Sequence, residues 1–252
     1  MRIIVPLLVG ALLPSLVAVQ AGDTIQASGG SIRITPIRHA SFQIDYNNRV
    51  IQVDPVSAND NSKAAAADIV LVTDIHGDHM DAAAIQKLRK PDGQVVAPAA
   101  VRDALAGKAG EITVLNNGQT QKFNGIAIEA VPMYNLQRGP SAGQFFHTKG
   151  RGNGYVVTLG DKRLYIAGDT ECTPEMKALK NIDVAFVPMN LPYTMTPAEA
   201  ADCVKAFAPK VVYPYHSGTP KDVGQSANAQ EFAAAMKGTP GVEVRVAEWY
   251  PK

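Results

Sequence analysis

The run Ile69-Val70-Leu71-Val72-Thr73-Asp74-Ile75-His76-Gly77-Asp78-His79 constrains the fold more than any other stretch of this 252-residue chain. Its first half is short, continuous and rich in β-branched residues, which predicts a strand buried on both faces. Its second half places two Asp and two His on the loop that leaves that strand. Gly77 lets the backbone turn there without a Cβ penalty. Carboxylates and imidazoles at the mouth of an apolar strand are costly unless something neutralises them. A divalent cation does so, because Asp oxygens and His nitrogens are its usual ligands. A turn with a helix cap at Asp78 or Asp81 would account for one or two of these residues, but not for all four.

The formal net charge of +1 gives no reason to expect a nucleic-acid partner, and a small-molecule substrate is expected instead. Residues 1–21 read separately from the rest. Arg2 precedes an apolar run from Ile3 to Val19, broken only by Gly10, Pro14 and Ser15, and Val19-Gln20-Ala21 supplies small residues for cleavage. That is a signal-peptide pattern with cleavage after Ala21. Pro14 and the short run argue against a retained membrane anchor. The expected mature protein, residues 22–252, is one domain without a stable anchor, periplasmic or secreted. Cys172 and Cys203 then meet an oxidising compartment where a disulfide can form, although Cys203 also suits a small core position on a helix.

Along the mature chain, residues 22–30 read as a flexible polar lead-in. Strands are expected at Ser31–Ile37, Ser41–Tyr46 and Arg49–Val53, the last two joined by a turn at Asn47-Asn48. Asp81–Lys90 reads as a helix ended by Pro91, followed by a short strand at Val95-Val96 and a helix over Ala99–Ala106. Strand-like pieces follow at Ile112–Leu115 and Ile126–Val131. The Gly-rich loop from Pro132 to Gly152 is long enough to expect a functional role. A hairpin over Gly154–Leu159 and Arg163–Ala167 and a strand at Asp183–Val187 come next. Thr196-Pro197-Ala198-Glu199 is a capping box opening a helix to about Phe207. A strand at Val211–Tyr213, a helix at Ala227–Met236 and a strand at Val242–Val246 close the chain. Strands followed by strand–helix alternation, twice over, predict two packed sheets with helices outside, in two similar halves.

All five histidines, His39, His76, His79, His147 and His216, fall in loops at expected strand ends. Convergence on one edge of the sheets would bring His147, Asp169 and His216 to Asp74, His76, Asp78 and His79. In this order the residues resemble the metallo-β-lactamase superfamily, whose signature is His-x-His-x-Asp-His after a strand, then a His, an Asp after a strand, and a last His. Here it reads Asp74-x-His76-x-Asp78-His79, His147, Gly168-Asp169-Thr170 and Tyr215-His216-Ser217. Arg38-His39-Ala40-Ser41-Phe42 and Val53-Asp54-Pro55 are similar to the non-lactamase branch that includes ascorbate-6-phosphate lactonase and N-acyl-phosphatidylethanolamine phospholipase D.

The resemblance implies an α/β fold, a four-layer αββα sandwich, with two divalent metal ions in a cleft along one edge. One ion would take Asp74, His76 and His147, the other Asp78, His79 and His216, with Asp169 bridging. Such a pair, about 3.5 to 4 Å apart, makes hydroxide available near neutral pH for attack on an ester, lactone or phosphoester. Zinc is the default ion. Asp74, standing where the family has His, is a harder ligand that favours manganese or iron, or a single ion. Asp78 and His39 are expected to serve catalysis, and Asp54 to hold a ligand His in its tautomer. Tyr134, Asn135, Arg151, Asn190 and Tyr193 are expected to rim the cleft as substrate contacts, with Lys149 and Arg151 as receivers of an anionic group. Two other classes stay open on this reading: an iron-dependent oxidoreductase on the same fold, and a non-catalytic metal-containing binding protein.

Overall fold

The β5 strand (Ala67–Leu71) shows how the sequence sets the layers. Every residue in it is buried. Ile69 and Leu71 face one apolar cluster while Val70, with Val72 just beyond the strand, faces another. A strand hydrophobic on both faces must lie between two other layers. The computed structural model describes residues 23–62, 64–219 and 226–250; the expected signal peptide lies outside the described residues.

The first sheet is a meander of β1 (Asp23–Ala27), β2 (Gly30–Arg38), β3 (Ser41–Tyr46) and β4 (Arg49–Val53), continued by β5, β6 (Arg89–Ala97) and β7 (Thr113–Val114) in spatial order. Pairing is antiparallel from β1 to β4 and parallel from β4 to β7. The second sheet repeats the plan. There β8 (Thr120–Phe123), β9 (Ile126–Met133), β10 (Gly152–Leu159) and β11 (Lys162–Ile166) are antiparallel, and β12 (Val184–Pro188), β13 (Val211–Tyr215) and β14 (Glu243–Val244) add in parallel. The two expected halves are therefore present as one topology used twice.

Between the sheets lies the main core, where Phe42, Ile44, Ile69 and Leu71 meet Tyr155, Leu164, Phe186 and Tyr213. On the outside of the first sheet sit α1 (Ala82–Leu88) and α2 (Ala99–Leu105), through Ile85, Val101 and Leu105. On the outside of the second sit α3 (Pro174–Lys177), α4 (Pro197–Phe207) and α5 (Ala227–Ala235), through Met176, Val204 and Phe232. The expected capping box on α4 is made in both directions between Thr196 and Glu199. The order helix, sheet, sheet, helix is the expected αββα sandwich.

Several local expectations are corrected. Residues 23–27 form a strand rather than a flexible lead-in. Ile25 is buried against the core, while Tyr213 and Arg245 from the far end of the chain donate to the Asp23 carboxylate. Helix α1 ends at Leu88, and the chain is already extended at Arg89. Pro91 does not terminate it. Pro91 sits within β6, where pairing jumps from Ala67↔Arg89 to Ile69↔Gln94, so residues 90–93 bulge out and the missing proline N–H costs no ladder bond. The long loop is trimmed at both ends by β9 and β10 to residues 134–151. Strand β8 and helix α3 had no counterpart in the sequence reading.

Cys172 and Cys203 are joined, with a Cα separation of 5.6 Å. The bond ties the segment after β11 to the buried face of α4. Closing a loop of 31 residues constrains the unfolded chain by about 3.7 kcal/mol.

Candidate metal centre

Four strand exits at one end of the sandwich turn through the left-handed region: His39 after β2, Asp54 after β4, Gly168 after β11 and His216 after β13. Three of these are not glycine, and a non-glycine residue in that region costs energy that the surroundings must repay. Backbone bonds fix the turns to one another. His39 N–H donates to Trp249 O, and His216 N–H donates to His39 O. Asp54 N–H donates to Leu71 O, which carries the β4 exit to the β5 exit beside it.

The loop after β5 delivers Asp74, His76, Asp78 and His79 to this end. His79 is fully buried, and its Nδ1 lies 2.8 Å from Asp54 Oδ2. Thr73 holds the same carboxylate twice, through its N–H to Oδ1 at 2.8 Å and its hydroxyl to Oδ2 at 2.6 Å. Asp54 thus fixes the ring so that Nε2 points inward, the orienting role expected of it. His147 is fixed by Asn135, whose side-chain oxygen accepts from both its backbone N–H and its Nδ1 at 2.8 Å. The loop bearing His147 is itself held by Glu171, whose carboxylate accepts backbone N–H bonds from Leu136, Gln137 and Arg138.

The inward nitrogens converge on Asp169. Its Oδ2 lies 3.2 Å from His147 Nε2 and 3.3 Å from His79 Nε2, and its Oδ1 lies 3.5 Å from His216 Nε2. Asp78 Oδ2 lies 3.3 Å from both His216 Nε2 and His39 Nε2. Asp74 Oδ2 lies 2.7 Å from His76 Nδ1 and 3.9 Å from His147 Nε2. Three groups of donors result, each compact enough for one cation: Asp74, His76, His147; His79, Asp169, His216; and His39, Asp78, His216. Sequence positions as far apart as His39 and His216 are brought to one cluster.

The charges in this cluster are unresolved by protein alone. Burial works against a charged imidazole at His79, yet Asp169 and Asp54 outweigh it and hold its pKa well above the ordinary value. Burial works the other way on Asp169, and His216 and His79 pull it well below the usual carboxylate range. His39 differs: burial, aided by His216, pushes it down to about 4 in spite of Asp78, so its ring is neutral at pH 7. The decisive test of fit is hydrogen bonding. His79 Nε2, His147 Nε2 and Asp169 Oδ1 are buried and have no hydrogen-bond partner. Leaving such atoms orphaned costs on the order of 1–3 kcal/mol each. Orphaned imidazole nitrogens and a carboxylate oxygen facing one another are the donor set of a divalent cation, and these residues fit one.

A family model described as a β-lactamase superfamily domain matches residues 33–216. A metal-dependent hydrolase of Thermococcus kodakarensis is 31% identical over 213 residues, covering 80% of this chain and 90% of that one. The chain belongs to the metallo-β-lactamase superfamily. A candidate metal-dependent hydrolase from Parabacteroides distasonis has a solved structure with 41% identity and a TM-score of 0.79, covering 91% of this chain and 98% of that one. A candidate Zn-dependent hydrolase of the superfamily from Thermotoga maritima, at 21% identity and a TM-score of 0.59 over 86% of this chain and 98% of that one, shares the fold. This chain is accordingly a metal-dependent hydrolase of the metallo-β-lactamase superfamily.

The superfamily cleft in this chain is a cavity of about 560 Å³ whose floor includes His39, His76, Asp78, His147, Asp169 and His216. Asn190 and Tyr193 line it, as expected from sequence. The side chains of the other expected substrate contacts are engaged within the protein. Tyr134 points its hydroxyl to Glu175, 2.9 Å away, with the Lys149 ammonium over its ring. Asn135 is buried beneath His147 and positions it. Arg151 does not reach out for an anionic group, because its fork closes on Asp74 at 3.0 and 3.1 Å. Lys149 is likewise engaged, 2.6 Å from Glu175. Glu171, Thr73 and Tyr250, which holds His39 Nδ1 at 3.1 Å, were missed altogether. Only the position of Thr73 next to Asp74, and of Glu171 two residues after Asp169, could have hinted at any of them.

Proposed function

We propose that this protein is an exported hydrolase of uncharged esters or lactones, working at a site loaded with two divalent ions. The observation that carries this is the convergence of orphaned donors on the floor of a cavity with an uncharged, largely apolar wall. Phe146, Leu191, Pro192 and Tyr193 form most of that wall with Asn190 and Thr219, and among the described residues no Lys or Arg lines the cavity. About 560 Å³ suits a small molecule, and the walls suit an alkyl or aryl group beside the scissile bond.

Bound divalent ions supply a water of lowered pKa and polarise the attacked oxygen. The chain's own residues do the rest. Asp169, His79, His147 and His216 would hold the ions with Asp74, His76 and Asp78. His39 presents a neutral ring to the cleft, with Nδ1 held by Tyr250 and Nε2 beside Asp78, placed to donate a hydrogen bond to the oxygen of a departing group. The Asn190 amide, on the cavity wall, can orient a substrate carbonyl. Export is supported by the apolar run of residues 3–19 and by the Cys172–Cys203 bond, which an oxidising compartment preserves.

A panel of uncharged esters and lactones, their carboxylate-bearing counterparts and phosphodiesters tests the reading, with and without a chelator. Chelator-sensitive hydrolysis should favour the uncharged members by tenfold or more, about 1.4 kcal/mol. Hydrolysis that survives chelation, or a preference for the phosphodiesters, contradicts it. Fractionation of the native cells should place the protein outside the cytoplasm.

A further inference from the structure

The two halves of the donor cluster are not electrostatically alike. Asp169 touches both, so it does not distinguish them. On one side stand Asp78, His79 and His216, with the Asp78 carboxylate opposed by no Lys or Arg among the described residues; its ion-pair contacts there are His39, His79 and His216. On the other stand Asp74, His76 and His147, and here Arg151 is clamped on Asp74 through both carboxylate oxygens. The Asp74 side chain is completely buried and that of Arg151 is 20% exposed, so water screens the pair poorly. Asp74 therefore brings no net charge to its half of the cluster, while Asp78 brings a full negative charge to the other.

Arg151 is also well fixed. It sits in the tight turn before β10, with its N–H donating to Thr148 O, after Gly150 in the left-handed region. A fork held this way does two opposing things. It aligns Asp74, whose Oδ2 faces His76 and His147, and it sets a permanent positive charge beside the place where a cation would bind.

We propose that Arg151 is a positioning residue that splits the centre into a tight and a weak half, so that ions load in sequence, first at Asp78–His79–His216 and then at Asp74–His76–His147. The proposal rests on the two-ion reading of the site. A unit charge a few ångström from a bound cation, in surroundings this buried, shifts affinity by about tenfold or more.

The test is a Zn²⁺ titration of the metal-free protein against a chromophoric chelator, which reads affinity without reference to activity. Wild type should show two steps separated by at least about tenfold. Arg151→Met or Arg151→Gln should strengthen the weaker step by a similar factor and leave the tighter one in place. Arg151→Lys keeps the charge and should keep the separation. Asp74→Asn should lose the weaker step alone. Lys149→Met, on an exposed side chain tied to Glu175, should change neither. Two equal steps in wild type, a weaker step unmoved or lost in the folded Met and Gln variants, or a Lys variant that behaves like Met would overturn the proposal. So would an Asp74→Asn protein that keeps both steps. Uptake of no ion by wild type would instead contradict the two-ion function itself.

Discussion

Asp169→Ala should leave a folded protein that has lost hydrolysis by roughly a thousandfold or more, the scale expected when several kcal/mol of metal-derived charge stabilisation go. The reason is geometric. Among the described residues Asp169 is the one carboxylate within 3.5 Å of three imidazole nitrogens, those of His79, His147 and His216. Its removal takes away the oxygen shared by both halves and leaves three rings facing one another. Elemental analysis of the same preparation should show fewer ions per chain than wild type. Steady-state rates and circular dichroism check the two parts together. Full activity in a folded Asp169→Ala variant would contradict the assignment.

Asp54→Asn should weaken metal binding by 10- to 100-fold, the usual effect of removing a group that orients a ligand imidazole. Asp54 touches no substrate. It is fully buried and spends both carboxylate oxygens on Thr73 and His79. Asn fits the volume and tolerates the left-handed backbone at this position, φ 45°. It cannot, however, offer two acceptors, so one of the three bonds meets an amide N–H instead. The His79 ring then loses the carboxylate charge that keeps its Nε2 directed at Asp169. Metal competition reads the effect, and excess metal should restore most of the activity. A variant with unchanged affinity would show that His79 is held by packing alone.

How much of this was legible in the sequence depends on the range of the interaction. The β5 exit was readable because strand and donor cluster lie within eleven consecutive residues. The β3–β4 hairpin was readable because Asn47 and Asn48, both at positive φ, mark a two-residue turn. The α4 cap was readable because a capping box is local. Asn190 and Tyr193, expected at the cleft because they sit on a loop leaving a buried strand, do line the cavity. Strand β1 was not readable: Ile25 is its one large apolar residue, and its anchors, Tyr213 and Arg245, lie near the opposite end of the chain. The reach of Arg151 to Asp74 across 77 residues, and of Glu171 to the 136–138 backbone, leave no trace in local spacing. For the same reason a cation after His147 read as a substrate contact, when its partner is the carboxylate that departs from the family signature. The Cys172–Cys203 bond was foreseeable only as an option, since nothing in the sequence fixes the distance between α4 and the β11 exit.

The central claim is that side chains from separate strand exits hold divalent ions through a shared Asp169. Anomalous scattering from crystals grown with Zn²⁺ tests it most directly. Two peaks are predicted, one contacted by His79 and His216, the other by His76 and His147, with Asp169 touching both. No peak within the cluster, or a metal bound without Asp169, would contradict the account.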